Sequence, residues 1–390
     1  MTGEDLLKIA ERCVRCGKCR PDCPVFALDR NEEQSARGKL HILSKLLSGA
    51  TVSPEVLSDV VGSCSLCGQC SAVCDAAVEA AEAVRVARAL IQSGVISGDS
   101  ATRALPQCPY ISERLQENPA LRFLISSLAN RYAPALPQRN LMNLLEGKPI
   151  IVQPDAWLFP GCGGTWLFPQ ISMKALDLFK ALSLRADIPR EPACCALPLY
   201  DLGLFEEAKA MIEPLFSLMP GAVPIIVLCA SCAAMLKVHL PRLFNGASYE
   251  KEARDLANRV TELGCFLSDQ HYAPQARPEK TRPITVFLHD PCSMKYTMKM
   301  PNGYRKILEM IPRIQIADMK LTCCGHGGGL GLIRPEISEK IASNVADEIA
   351  QSNAKIVASN CFGCLLQLAG IASGHANPPA VVHTASLLFN

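Results

Sequence analysis

Apolar residues fall three and four apart through LLKIAERC, ARGKLHILSKLLSG and DAAVEAAEAVRVARALIQSG. This is the spacing of a helix that buries one face, and it predicts a helical N-terminal domain over 1–98, with Gly94 and Gly98 ending the last helix. The pattern then breaks. Prolines at 106, 109, 119, 134, 137, 149 and 154 surround one short amphipathic stretch, LMNLLEG, so 99–154 reads as a connecting segment.

Beyond 154 the pattern changes to short apolar runs alternating with helix-period stretches, and it occurs twice. LFPGC ending at Cys162 returns as HDPC ending at Cys292, Cys194-Cys195 returns as Cys323-Cys324, and IIVLCASC ending at Cys232 returns as KIVASNCFGC ending at Cys364. The three features recur 130, 129 and 132 residues later, which implies two copies of one module, 155–268 and 285–390. The proline-marked stretch DQHYAPQARPEKTRP gives the linker, 269–284. In each copy a strand delivers a cysteine at its end (AWLFPGC, ITVFLHDPC). A helix, the vicinal cysteines, a second helix and a second strand ending in C-x-x-C follow. Ile171, Ala175, Leu178, Phe179 and Leu182 line one helical face of the first copy, and Ile337, Ile341, Val345 and Ile349 one of the second. Such α/β halves gather ligands at the carboxyl ends of their strands, so the ten module cysteines are expected at two sites.

Charge and composition narrow the choice of partner. Lys plus Arg (39) nearly equals Asp plus Glu (37), for a net charge of +2, which argues against nucleic acid as the main partner. The longest apolar run, Val223 to Leu236, is about fourteen residues, short of the roughly 20 that span a bilayer. The N-terminal MTGEDLLKIAERC has no apolar core of signal-peptide length. A cytoplasmic protein is expected, touching the inner face of a membrane only through partners. Twenty cysteines in a chain of 390 residues then point to metal ligation and away from a disulfide framework.

Eight of them form one pattern written twice: Cys13, Cys16, Cys19 and Cys23-Pro24, then Cys64, Cys67, Cys70 and Cys74. This is the two-cluster ferredoxin run, in which three closely spaced thiolates wrap one 4Fe-4S cubane and the fourth reaches the other. It assigns Cys13, Cys16, Cys19 and Cys74 to one cubane and Cys64, Cys67, Cys70 and Cys23 to the second. Asp75 stands where the run usually has proline. A pair of structural zinc sites is the alternative. Cys108 and Cys265 fall outside every set and read as small core residues.

Each module offers five thiols: Cys162, Cys194, Cys195, Cys229 and Cys232, then Cys292, Cys323, Cys324, Cys361 and Cys364. A cubane needs four. Vicinal cysteines at a turn can bind different irons of one larger cluster, and Gly325 in CCGHGGGLG lets backbone approach it. In the first module Ala196 replaces that glycine, and zinc on four thiolates with one idle is a rival reading there.

Two ferredoxin runs followed by two C…CC(G)…C-x-x-C modules resemble the CCG-domain iron-sulfur oxidoreductases. These are the heterodisulfide reductase D-type subunit and the related iron-sulfur subunits of glycolate oxidase, lactate dehydrogenase and anaerobic glycerol-3-phosphate dehydrogenase. The resemblance implies an α+β multidomain chain, an α-helical two-cluster domain before two pseudo-repeated α/β CCG modules. It also implies that a complete five-cysteine module binds a noncubane 4Fe-4S cluster, so one or two are expected beside the two cubanes. SARGKLHILSKLL is closer to the glycolate oxidase branch, and puts Arg37 and Lys39 forward as cations that favour a reduced cluster. His289 and His326, beside module cysteines, are candidates for donating to a cluster sulfur or moving a proton; packed histidines are the plainer reading.

The first functional expectation is an electron-transfer subunit of a multisubunit oxidoreductase. A flavoprotein (FAD) partner oxidises a 2-hydroxy acid of the glycolate or lactate type, and electrons leave to a quinone or membrane cytochrome through other redox subunits. No G-x-G-x-x-G opens a helix after a strand, and GCGG at 161–164 is too short for that fingerprint. The rival expectation is a heterodisulfide reductase-like catalytic subunit that cleaves a disulfide at noncubane clusters. A zinc-bound scaffold is a third.

Overall fold

A computed structural model describes residues 2–96, 137–274, 283–300, 302–321 and 323–388. Cys108, most of the connecting segment and part of the linker lie outside these residues. The described chain forms two compact units. One comprises 2–96 together with Pro198–Ala208 and Leu321–Val345; the other holds the remaining described residues.

The first unit is helical because its sequence caps and buries helices in turn. Thr2 opens Gly3–Glu11 with a capping box, Ser35 accepts from the Gly38 N–H at the start of Ala36–Leu47, and Ser53 with Pro54 opens Pro54–Gly62. Leu6, Leu40, Leu43, Leu57, Val60, Val61, Val84 and Ile91 form the core between these helices and Ala80–Gln92. That last helix starts at Ala80, and not at Asp75 as its periodicity predicts. A turn intervenes, in which the Ala77 N–H donates to Cys74 O and Ala77 takes φ +49°.

Ala80–Gln92 is buried on almost every side, so its charged residues need partners inside the protein. Arg85 pairs with Glu82 at 3.1 Å and with Asp201 at 2.8 Å, and Tyr200 donates to Glu82 at 2.7 Å. Arg88, fully buried, donates to four carbonyls, those of Val61 (2.8 Å), Cys64 (3.1 Å), Asp201 (2.7 Å) and Gly328 (2.7 Å). One guanidinium thereby ties the segments taken from both modules to the loop that carries Cys64.

The second unit holds two four-stranded parallel sheets with the same strand order. The first runs β2-β1-β3-β4, with β1 Ala156–Phe159, β2 Ala186–Asp187, β3 Ile225–Val227 and β4 Val260–Glu262. The second runs β6-β5-β7-β8, with β5 Ile284–His289, β6 Ile314–Asp318, β7 Ile356–Ser359 and β8 Ala380–His383. In register, Trp157 faces Ile225 and Phe159 faces Val227; Val286 faces Ile356 and His289 faces Ser359. The two central strands of each sheet are those anticipated from their apolar runs and buried as such sequences require. The repeated module is thus a repeated fold. In each sheet the strand order reverses between the two central strands, and that is where such sheets open a crevice at their carboxyl ends. Among the described residues no helix is long and apolar enough to cross a membrane.

Candidate metal centres

The first ferredoxin loop lies at the surface of its unit. Val14 is 74% exposed, Cys16 is exposed, and Cys13, Cys19 and Cys74 are half-buried. Lys18 pairs with Asp75 at 2.8 Å and Arg12 donates to Ala76 O at 3.2 Å, and these two bonds hold the Cys13–Cys19 loop beside the turn that carries Cys74. Asp75, standing in place of the usual proline, is thus one partner in that tie. Arg37 serves this loop as well: it pairs with Glu32 at 2.5 Å and donates to Arg15 O at 3.0 Å.

In the second set Cys67 is buried and Cys23, Cys64 and Cys70 are half-buried. Cys23, Cys64, Cys67 and Cys70 line one cavity together with Val25, Ala36, Ala80, Ala81 and Val84 and the buried polar residues Lys39, Ser63 and Ser65. Burial pushes the Cys67 and Cys70 thiols well up and raises Cys23. Neutral thiols in an apolar cavity are poor nucleophiles, and a metal that binds them displaces their protons. Four converging sulfurs with apolar walls fit a cubane in donor type and number. Lys39, 3% exposed, donates to Gln34 Oε1 (2.9 Å), Val60 O (3.1 Å) and Ser63 Oγ (2.7 Å).

In the first module all five thiols are buried and contiguous. Cys162 follows β1 and Cys229 follows β3, at the point where the strand order reverses. Cys162 hydrogen-bonds Cys194, Cys195 Sγ lies 3.2 Å from Cys232 Sγ, and Cys232 bonds Cys229. Neighbouring thiols donating to Cys195 hold it below its usual value. The vicinal turn explains the glycine of the repeat. Ala196 takes φ +57° and its N–H donates to Cys194 Sγ at 3.4 Å; Gly325 takes φ +88° and donates to Cys323 Sγ at 3.3 Å. The left-handed conformation is required at both places, and alanine adopts it in the first.

In the second module Cys323 and Cys324 lie in the helical unit, where Cys323 bonds Ser65 and is felt by Cys67. Cys292, Cys361 and Cys364 lie with the sheets. There the two modules meet at their C-x-x-C turns. The Ala230 N–H donates to Asn360 O (2.8 Å) and the Phe362 N–H to Cys229 Sγ (3.4 Å), Ser231 Oγ is 2.9 Å from Cys361 Sγ, and Phe362 stacks on Phe168. Cys229 and Cys361, one from each module, are hydrogen-bonded.

Of the candidate histidines, His289 is buried at the end of β5. Its Nδ1 is 2.9 Å from Ser359 Oγ, a ring nitrogen is within 4.8 Å of Cys364 Sγ, and burial lowers its pKa. His326 is half-buried at the start of the turn Gly327–Gly329 in the helical unit. Cys265 is buried in the helix Leu263–Asp269, its N–H capped by Glu262, and burial pushes its thiol up to about 12. Two residues near the sites escaped the sequence reading, Arg88 and Glu262. The signal for the first was a pair of arginines on a helix that is otherwise apolar but for Glu82 and Gln92. Glu262 is fully buried, accepts from Asn360 Nδ2 at 2.9 Å, and is pushed up to about 7 by burial.

Comparison with known proteins agrees with this arrangement. The profile of the 4Fe-4S dicluster domain matches residues 9–78, and that of the cysteine-rich domain matches 156–237 and again 286–369. A dihydromethanophenazine:CoB–CoM heterodisulfide reductase subunit of Methanosarcina barkeri is 25% identical over 93% of this chain and 89% of its own. The glycolate oxidase iron-sulfur subunit of Escherichia coli is 22% identical over 93% and 90%. Lactate utilization protein A of Oceanobacillus iheyensis is 25% identical over 59% of this chain and 95% of its own.

Proposed function

The chain belongs to the iron-sulfur oxidoreductases that join a 4Fe-4S dicluster domain to paired cysteine-rich domains, and from that premise we propose that it relays electrons between a flavoprotein 2-hydroxy acid dehydrogenase and a quinone or cytochrome. The observation that carries this reading is the succession of thiol sets in the helical unit. One set is exposed at Cys16, one is enclosed around Cys67, and Cys323 touches the enclosed one through Ser65. Bound 4Fe-4S clusters would supply one-electron carriers at these positions.

The protein's own residues do the rest. Cys13, Cys16, Cys19 and Cys74 hold the first cubane where a partner can approach it, with Lys18, Asp75 and Arg12 fixing the loop. Cys23, Cys64, Cys67 and Cys70 hold the second away from water. Cys162, Cys194, Cys195, Cys229 and Cys232 form a noncubane site, favoured over zinc because no thiol of the five stands apart. The repeat gives the same role to Cys292, Cys323, Cys324, Cys361 and Cys364. His289, fixed by Ser359, orients a ring nitrogen toward the Cys364 sulfur.

A second reading, disulfide cleavage at the module clusters, draws on the contact between Cys229 and Cys361, which brings thiols of both modules together. Two measurements decide. Metal analysis of anaerobically purified protein should give about sixteen irons, four clusters' worth. Stoichiometric zinc with about twelve irons would make the first module structural. Affinity capture from anaerobic host extract should recover an FAD protein that oxidises a 2-hydroxy acid. An isolated chain that cleaves a disulfide with electrons from a flavin donor would favour the second reading instead.

A further inference from the structure

Among the described residues, Lys39 is a buried cation without a buried anion. Its three N–H bonds go to Gln34 Oε1, Val60 O and Ser63 Oγ, which is every donor an ammonium has, and all three acceptors are neutral. The carboxylate that acts on it from a distance, Asp59, is itself paired with Arg334. Of the other buried cations of the unit, Arg85 pairs with Glu82 and Asp201, while Arg88 donates to backbone carbonyls, one of them that of Cys64. At the first ferredoxin loop Lys18 pairs with Asp75, and Arg20 and Arg37 share Glu32. A lone ammonium in an apolar interior is costly unless a negative charge lies beside it. The cavity that Lys39 borders is where four thiolates converge.

Resting on the reading of Cys23, Cys64, Cys67 and Cys70 as a ligand set, we propose that Lys39 is the counter-charge of the second cubane and sets its reduction potential above that of the first. Four thiolates and an oxidised cubane carry two net negative charges, and reduction adds a third. The step is the gain of one electron from the flavoprotein side; no bond forms or breaks and no proton is taken up. A fixed cation in a low-dielectric wall stabilises the extra charge more than solvent-screened cations stabilise it at the exposed loop. Lys39 is a positioning residue for charge. The Gln34–Ser63 pair holds it beside the cavity and leaves its charge uncancelled.

The test is an anaerobic redox titration of the full-length, cluster-loaded chain followed by electron paramagnetic resonance. It is run in a Cys16→Ser background to isolate the second cubane and in the unaltered protein to compare both. The second cubane should titrate at the higher potential. Lys39→Met should lower its reduction constant at least about tenfold, or about 59 mV for one electron, while the first cubane stays where it was and Lys39→Arg restores most of the loss. Gln34→Glu, which places an anion on Lys39 without removing it, should lower the potential in the same direction. An unmoved second potential in Lys39→Met or Gln34→Glu overturns the inference. Loss of the second-cubane signal in both variants also overturns it, because the role assigned is in potential and not in retention. Absence of a second cubane from the unaltered protein would instead fault the ligand set itself.

Discussion

Changing Gly325 to alanine tests the vicinal turn most directly, because the first module already carries alanine at the equivalent position. Gly325 sits at φ +88°, and a Cβ added there would lie 3.0 Å from Ser338 O and 3.2 Å from Ile341 Cβ. Both neighbours belong to the helix Pro335–Ser352 and cannot swing aside as a flexible side chain would. The left-handed conformation costs an alanine about 1–2 kcal/mol, and overpacking adds about 1–3 kcal/mol. A loss near 3 kcal/mol follows. The reciprocal change, Ala196→Gly, relieves about 1–2 kcal/mol of backbone strain but deletes a fully buried methyl worth about 0.8 kcal/mol, so it should shift stability by no more than about 1 kcal/mol. Scanning calorimetry of cluster-loaded protein, with all variants at one scan rate because unfolding is irreversible in such proteins, should show Gly325→Ala melting roughly 6–12 °C lower. Ala196→Gly should stay within a few degrees. Equal shifts in the two variants would refute the argument, since it depends on Ser338 and Ile341 crowding one turn.

Cys67→Ser should remove the second cubane, lowering iron by about four per chain, and leave the circular dichroism of the sheets intact; retention of both cubane resonance signals would break the ligand assignment. Glu262 titrates near 7 when folded against 4.5 for its ordinary value, so the folded chain holds a proton there that the unfolded chain releases. Its contribution is complete below about pH 4.5 and fades as pH rises through about 7, a few kcal/mol in all. Urea unfolding of Glu262→Gln should therefore vary less between about pH 5 and about pH 8 than that of the parent, and identical slopes for the two proteins would refute this.

The helices Gly3–Glu11 and Ala36–Leu47 were legible because their apolar spacing marks a buried face, as through Leu40 and Leu43; Pro54–Gly62, opened by Ser53, is one the spacing did not single out. The central strand pairs of the modules were legible for a similar reason, each being an uninterrupted apolar run. The edge strands were not. β2 is two residues long, and β6 reads IQIAD with its side chains half-exposed, so neither carries a period. The start of Ala80–Gln92 was misjudged because alanine fits both the helix and the turn at Cys74–Ala77. At the sites, cysteine spacing carried the ligand candidates, since thiolates must be close to share a metal. The polar surroundings left no local mark. Nothing near Lys39 distinguishes a solvated helix face from a buried one, because two of its three partners lie 21 and 24 residues away, and those of Arg88 lie up to 240 away.

The joint between the modules, where Ala230, Ser231 and Cys229 meet Asn360, Cys361 and Phe362, is close to self-complementary, as the face of a two-fold dimer is. Carrying both halves on one chain makes that joint intramolecular. It forms at an effective concentration set by the tether and not by how much protein is present, and dilution does not part the halves. A true dimer must also repeat every substitution in both copies. Here the copies are free to differ, which is how one vicinal turn keeps Gly325 while its counterpart holds Ala196, and how the two thiol sets can diverge in chemistry within one architecture.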